Sequence, residues 1–401
     1  MLSPPTLTSH PDRADAAHRP DGVTVLGVQF TSIKSLFAPL VDHADLMLIH
    51  VNDWLNELRY KFRRGAFVKV EPLSGTDWRE WRLPPGWTNR GASWVMPRLV
   101  KRIERAWRER GWSNPRLVVT FPYFLPLARA VGPERLTYYA VDNYQAYWPD
   151  RATALYEQEN ELIEIAGASI VASSLLADWF RERVPSAAAK IHYLPNGVRP
   201  DMIPPPETMR AHSLALEDNL AQCFGEANGP VIGYYGNIGS GYGIEFLAAI
   251  VARLPNFRFL LMGQVLSEHR SPYNEAVTYL RKCRNVSMTG HLQEPESLQF
   301  LRQCDVMIIP LPLTDQIRYS CPNRLWTYMA SGRPIVSTPI PEVTKFGELV
   351  YVAANLDEFV GALGRAAQEY DPGLVTKRIE IAKQHTWPVL AERMWSILSL
   401  M

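Results

Sequence analysis

The stretch Cys304–Val343, CDVMIIPLPLTDQIRYSCPNRLWTYMASGRPIVSTPIPEV, decides how the rest of the chain is read. Val306–Pro310 is a short apolar run of the kind that forms a strand buried on both faces. A polar loop follows, and Pro322-Asn323 opens a helical segment that Gly332-Arg333-Pro334 ends. Ile335–Thr338 is a second buried-type strand. The pattern predicts a βαβ unit whose loop sets polar side chains at the C-terminal edge of a parallel sheet, where open α/β sheets bind ligands.

Outward from this unit the same rhythm recurs. Apolar or β-branched runs stand at Val23–Val28, Leu46–Val51, Phe67–Val70, Leu117–Phe121, Thr137–Val141, Ser169–Ala172 and Lys190–Tyr193. A second set stands at Val231–Tyr235, Arg258–Met262, Val286–Thr289, Val306–Pro310, Ile335–Thr338 and Leu349–Val352. Helical patterns separate them, so the fold class is α/β with parallel sheets covered on both faces. Two such sets predict two doubly wound, Rossmann-like domains facing a central cleft, at residues 23–200 and 229–380. The proline-rich interval 201–228 reads as a linker. Residues 1–22 carry four prolines and no apolar core, and read as a disordered leader. Residues 381–401 hold a last helix.

Composition narrows the function. At 401 residues the chain exceeds one ordinary core. Lys and Arg total 42 against 41 Asp and Glu, which argues against a dedicated nucleic-acid binder. The cysteines at 223, 283, 304 and 321 form no CxxC pair and no zinc spacing, and suit a reducing compartment. No apolar run is long enough to span a bilayer, so a cytoplasmic location is the default expectation.

Three constellations carry chemistry. Gly233–Gly243 (GYYGNIGSGYG) lies between a strand and a helix beginning near Ile244. Its glycines would let backbone approach a ligand, and a pyrophosphate is the natural guest, with a plain tight turn as the alternative. No Gly-Lys-Ser/Thr follows, so it is not a Walker A loop. In the first half, His50 and Asp53 end one strand and Asp142-Asn143 another. They could orient a ligand hydroxyl or act as a base, or each could merely cap its strand. Finally, Pro97–Trp112 reads as a basic amphipathic helix, with Arg98, Lys101, Arg102, Arg105, Arg108 and Arg110 against Glu104 and Glu109. Trp78, Trp81, Trp87 and Trp94 precede it. Such a segment suits an anionic membrane surface, or simply packs its stripe on the sheet.

As a set these motifs resemble the GT-B glycosyltransferases of the group 1 (family 4) superfamily. The likeness is to a branch reading roughly NP-x-K-L-x-E-Y-L-A-x-G-K-P-V-V-S-T-P-x-P-E, matched here by Cys321–Glu342. Tyr139–Asn143 (YAVDN), AGASIVASSLLADWF at 166–180 and YLPNGV at 193–198 extend it, so that it covers about residues 115–400. The resemblance implies that the second domain binds a nucleotide-diphosphate sugar, that the first binds the acceptor, and that the last helix crosses back to the first domain. Gly236, Asn237, Ile238, Gly239 and Gly241 would line the donor diphosphate. Arg324 stands where the branch has lysine, and a guanidinium there could grip phosphate bidentately. Ser320 and the N–H groups of Asn323 and Arg324 would supplement it. Gly263 would line the cleft and His291 would lie against the nucleobase, or cap a turn. Thr327 falls where the superfamily's E-x7-E motif places its ribose-binding glutamate, and Tyr319 where it places the first glutamate.

The implied function is transfer of a sugar from a nucleotide-diphosphate donor to a glycan or lipid-linked acceptor, with retention at the anomeric carbon, in cell-surface polysaccharide or glycoconjugate synthesis. Asp142, Arg324 and His50 are the candidate catalytic residues, and Asp53, Asp142 and Asn143 the candidate acceptor contacts. If the reaction inverts instead, Asp142 or Asp53 is the candidate base. No D-x-D occurs, and GT-B enzymes generally need no metal, so none is expected. No cofactor is expected beyond the nucleotide-sugar co-substrate. Two rivals remain: a sugar-nucleotide epimerase of the same fold, and a catalytically silent binding subunit, the latter suggested by Thr327 and Tyr319.

Overall fold

The computed structural model describes residues 20–28, 31–53, 72–88, 92–203, 224, 228–266, 271–292 and 294–401. Among the described residues the first domain has seven parallel strands in the order β3-β2-β1-β4-β5-β6-β7. They are β1 Gly22–Leu26, β2 Asp45–Asp53, β3 Asp77–Leu83, β4 Pro115–Val119, β5 Leu136–Ala140, β6 Ala168–Val171 and β7 Ile191–Tyr193. The second has six parallel strands in the order β10-β9-β8-β11-β12-β13. These are β8 Val231–Tyr235, β9 Arg258–Met262, β10 Val286–Gly290, β11 Val306–Ile309, β12 Ile335–Ser337 and β13 Val350–Val352. The central strands are buried throughout, as helices on both faces require. Register runs without slip at the centre, with Val25 beside both Leu48 and Val118.

Every apolar run of the second half is a strand. In the first half the expected strand at Phe67–Val70 and the leader up to residue 19 lie outside the described residues, as does most of the interval 204–227. Gly22 already belongs to β1. The sequence reading lacks β3, because DWREWRL mixes charge with tryptophan instead of forming an apolar run. It is an edge strand, where only Trp81 and Leu83 need full burial.

The basic helix begins at Ala92, before Pro97, and ends at Glu109. Its apolar stripe of Val95, Leu99, Ile103, Ala106 and Trp107 is buried in the first domain's core. The Trp107 indole donates to Thr24 Oγ1 at 2.8 Å. That is the packing alternative, with the basic residues left outside.

Beyond β13, the helices at 356–366 and 372–383 stay with the second domain. Buried Arg378 holds the latter through two bonds to Glu369, at 2.6 and 2.8 Å. The chain then crosses back. The 387–399 helix lies on the first domain, where His43 stacks on Trp395 at 5.5 Å and its Nε2 is 3.1 Å from Glu392. Arg116, nearly inaccessible in β4, donates to the carbonyls of Leu398 and Met401 at 3.1 and 2.6 Å. The crossing helix runs Trp387–Ser399, within the 381–401 segment expected to hold it.

Candidate active site

The C-terminal edges of the two sheets meet. Glu342 makes the largest polar junction between them. Its carboxylate, buried at the start of the 341–344 helix, accepts from the Ser174 N–H and hydroxyl at 2.9 and 3.2 Å, which is the first turn of the 174–183 helix across the cleft. The Tyr193 hydroxyl and Lys345 Nζ also donate to it, the latter at 2.5 Å. Beside it Asn196 Nδ2 donates to the Cys321 carbonyl at 2.7 Å, so the Pro-Asn-Gly-Val segment of the first domain holds the loop that opens the 323–331 helix.

That helix aims Arg324 beneath the glycine loop. The guanidinium lies over the Tyr234 ring at 4.6 Å, with Tyr242 at 5.9 Å. Gly236, at φ 138°, leaves room for it, since a Cβ there would fall 2.7 Å from Arg324 Nη2. Nη1 of Arg324 is buried and has no hydrogen-bond partner among the described residues. A buried guanidinium nitrogen without an acceptor is costly, and an anionic ligand would satisfy it.

The loop itself is zipped to the segment after β9. Gly236 N–H donates to Met262 O, Ile238 N–H to Gln264 O and Leu266 N–H to Ile238 O, all at 2.9 Å. Gly263 is required because a Cβ there would sit 1.8 Å from Gly236 O. Two residues of the expected donor set have their backbone groups engaged within the loop. The Ile238 side chain is in the core and its N–H and carbonyl are bonded, so it anchors the loop. Gly236 likewise has its N–H engaged. Asn237 is exposed at the loop tip, and Gly241 has nothing within 4 Å of a built Cβ. Gly239 O accepts from Tyr242 N–H.

Around the helix start, Asn323 is exposed and Thr327 is half-buried one turn on. The Ser320 hydroxyl donates to Ile317 O at 2.9 Å, which engages the proton it would offer a phosphate. His291 is exposed just after β10, two strands from β8, or about 10 Å across the sheet.

In the first domain the expected acceptor set divides. Asp142 follows β5, whereas His50 and Asp53 lie on β2, with β1 and β4 between them. Three strand spacings, about 14 Å, keep them from forming one cluster. His50 Nδ1 is 2.8 Å from Val28 O, and its ring stacks on Trp78 at 6.3 Å. Asn143 caps the 144–147 helix by accepting from Gln145 N–H. Asp142 is different. Burial pushes its carboxyl up to about 7, only partly offset by the Tyr147 hydroxyl, which donates to it at 2.9 Å. The 144–147 helix that carries Tyr147 packs against the 315–318 helix of the second domain, which carries Gln316. The sequence reading passed over Tyr147, Gln316, Tyr234 and Glu342. Only Glu342 had a signal, as the last residue of the Pro-x-Pro-Glu motif.

Residues 229–369 match the family model of glycosyl transferases group 1. The chain is 22% identical over 284 residues to a Bacillus subtilis protein assigned to teichuronic acid biosynthesis as the glycosyltransferase TuaH, covering 68% of each. Its fold matches Anabaena Alr3699/HepE, solved with UDP, at a TM-score of 0.71 and 14% identity, over 95% of this chain and 99% of that one. It also matches sucrose-phosphate synthase from Thermosynechococcus elongatus at 0.67 and 15%, over 94% and 98%. Two facing parallel domains with a returning last helix are the GT-B architecture. The chain has that fold, and its second domain, over residues 229–369, is similar to the group 1 glycosyl transferases.

Proposed function

We propose that the enzyme moves a hexosyl group from a nucleoside-diphosphate sugar to a glycan or lipid-linked acceptor in cell-surface polysaccharide synthesis. The observation that carries this is Arg324, a half-buried cation whose buried Nη1 has no partner among the described residues, beneath a glycine loop and at a helix start. Relatives support the nucleotide: HepE is solved with UDP and with UDP-glucose. The TuaH likeness supports the polysaccharide.

In this reading the diphosphate lies between Arg324 and the tip of the loop at Asn237–Gly241. The exposed N-terminal turn of the 323–331 helix adds N–H donors and the positive end of its dipole. As the anomeric C–O bond breaks, charge gathers on the diphosphate, where these fixed groups are already placed. The leaving phosphate oxygen takes the acceptor proton, and transfer proceeds with retention. Asp142, at the opposite edge, orients the acceptor hydroxyl. No divalent ion is required, consistent with the absence of D-x-D. Thr327 bonds the ribose in place of a carboxylate. A lipid-linked acceptor would place the protein at the cytoplasmic membrane face, drawn by the exposed cations of the 92–109 helix alone.

Calorimetry with UDP tests the donor site. Arg324→Ala is expected to weaken binding by about 1.5–3 kcal/mol, the range for hydrogen bonds to charged groups. Equal affinity of the variant and the native protein would remove Arg324 from the site.

A further inference from the structure

The 144–147 helix ends in two aromatic rings that the fold leaves uncovered. Among the described tryptophans only Trp94 and Trp148 are exposed, and Trp94 lies on the 92–109 helix. Tyr147 and Trp148 are 37% and 41% exposed, with ring centroids 5.9 Å apart. Their support is fixed. Asn143 caps the helix, and Gln145 Nε2 donates to Glu159 at 2.9 Å. Tyr144 is buried, with its ring 4.8 Å from that of Phe121 and its hydroxyl donating to Thr120 O at 2.7 Å. Past the helix, the Arg151 N–H donates to Trp148 O at 2.9 Å. The helix follows the C-terminal end of β5 and packs against the 315–318 helix of the second domain, just ahead of the helix that carries Arg324. The Tyr147 hydroxyl donates to Asp142 Oδ2 at 2.9 Å. Oδ1 of the half-buried Asp142 has no hydrogen-bond partner among the described residues.

We propose that Tyr147 and Trp148 form a saccharide-binding shelf, on which one pyranose ring of the acceptor stacks while a hydroxyl of that ring donates to Asp142 Oδ1. The inference rests on the reading of the first domain as the acceptor side. A pyranose carries C–H groups on its ring faces and hydroxyls around its rim. The C–H groups match the electron-rich face of an aromatic ring, and the rim needs hydrogen-bond partners beside that ring. Residues 142–148 supply both on one short segment. A hydrocarbon occupant matches less well. An isoprenoid chain over the same rings would take Oδ1 out of water without giving it a donor, and a buried acceptor left unpaired is costly. Binding to the shelf also loses little to ordering, because the hydrogen bonds around the helix already hold it in place.

The test is fluorine NMR of the full chain labelled with fluorotryptophan, with Trp148→Phe identifying the Trp148 resonance. The probes are the methyl glycosides of glucose, galactose, N-acetylglucosamine and glucuronic acid, each titrated with and without UDP. At least one is expected to shift the Trp148 resonance saturably and to receive saturation transfer at the C–H protons of one ring face. Trp148→Ala should weaken that binding by about fivefold to tenfold, the equivalent of one aromatic contact. Asp142→Ala should weaken it by about fivefold, the equivalent of one hydrogen bond. A Trp148 resonance indifferent to every glycoside, or equal glycoside affinity in the native and Trp148→Ala proteins, would overturn the proposal. A response to geranyl phosphate alone would overturn it too, by making the rings a lipid contact. If Trp148→Ala does not fold, the native titration decides. UDP calorimetry on the native protein separates this from the donor reading. Failure to bind UDP with the glycoside response intact sinks the donor reading and leaves the shelf, whereas UDP binding without a glycoside response sinks the shelf alone.

Discussion

Gly241 and Asp142 show how single residues constrain the site. Gly241 has open space where a side chain would go, so Gly241→Val should fold normally. In the proposed reading the branched side chain would then stand in the path of the diphosphate, and UDP affinity should fall at least tenfold in calorimetry, about 1.4 kcal/mol. Unchanged affinity would leave the loop as an ordinary turn. Asp142 has its carboxyl raised from the ordinary 3.8 to about 7, chiefly by burial. A raised folded-state value means that the native state binds the proton more tightly than the unfolded chain does. Its contribution to stability is therefore complete below pH 3.8 and is lost as pH rises through 7. Asp142→Asn removes that dependence, so thermal melts should show the variant gaining on the native protein from about pH 5 to about pH 8. A constant difference across that range would mean Asp142 is solvated.

The 92–109 helix is the element whose sequence admitted two opposite uses. Its apolar stripe requires an apolar partner but does not say which. The structure supplies the first domain's own core, and what remains outside is Trp94, Arg98, Lys101, Arg105 and Arg108. Arg102 leans over the Trp81 ring at 4.5 Å, and Arg105 pairs with Glu109 at 2.7 Å. Any attraction to an anionic surface is therefore electrostatic. Sedimentation with anionic vesicles should weaken steeply between about 0.05 and 0.3 M salt, over which the Debye length shrinks to about 6 Å. Changing Arg98, Lys101, Arg105 and Arg108 together to Gln should abolish it and leave UDP affinity unaltered. Salt-insensitive binding would require an apolar surface elsewhere.

For the whole molecule the question is what holds two domains in register while a ligand enters between them. Glu342 answers with four donors on one buried carboxylate, three of them from the first domain. Removing it leaves Lys345 and the first turn of the 174–183 helix without their acceptor. Glu342→Ala should cost about 3 kcal/mol in denaturant unfolding, the lower end for breaking a buried pair. It should also separate a single transition into two, because the clasp is part of what makes the domains unfold together. A single transition at the native midpoint would show that the 387–399 helix couples the domains alone.

Much of this architecture was legible in the chain. Buried parallel strands demand continuous apolar runs, so all six strands of the second domain were visible, along with the loop and helix start that frame Arg324. β3 was hidden because an edge strand needs only half its face buried and can carry charge. The division of the candidate residues was hidden for another reason. Strand order is not strand sequence: an acid ends β2 and another follows β5 at the same sheet edge, yet β1 and β4 pass between them. Local pattern determined the elements, because hydrophobic burial is read residue by residue along a strand or helix. Partnership across the cleft was decided only by the tertiary structure. The 144–147 helix meets the 315–318 helix, and Glu342 meets Ser174, through contacts between residues about 170 apart in the chain, and such contacts leave no periodicity in a sequence.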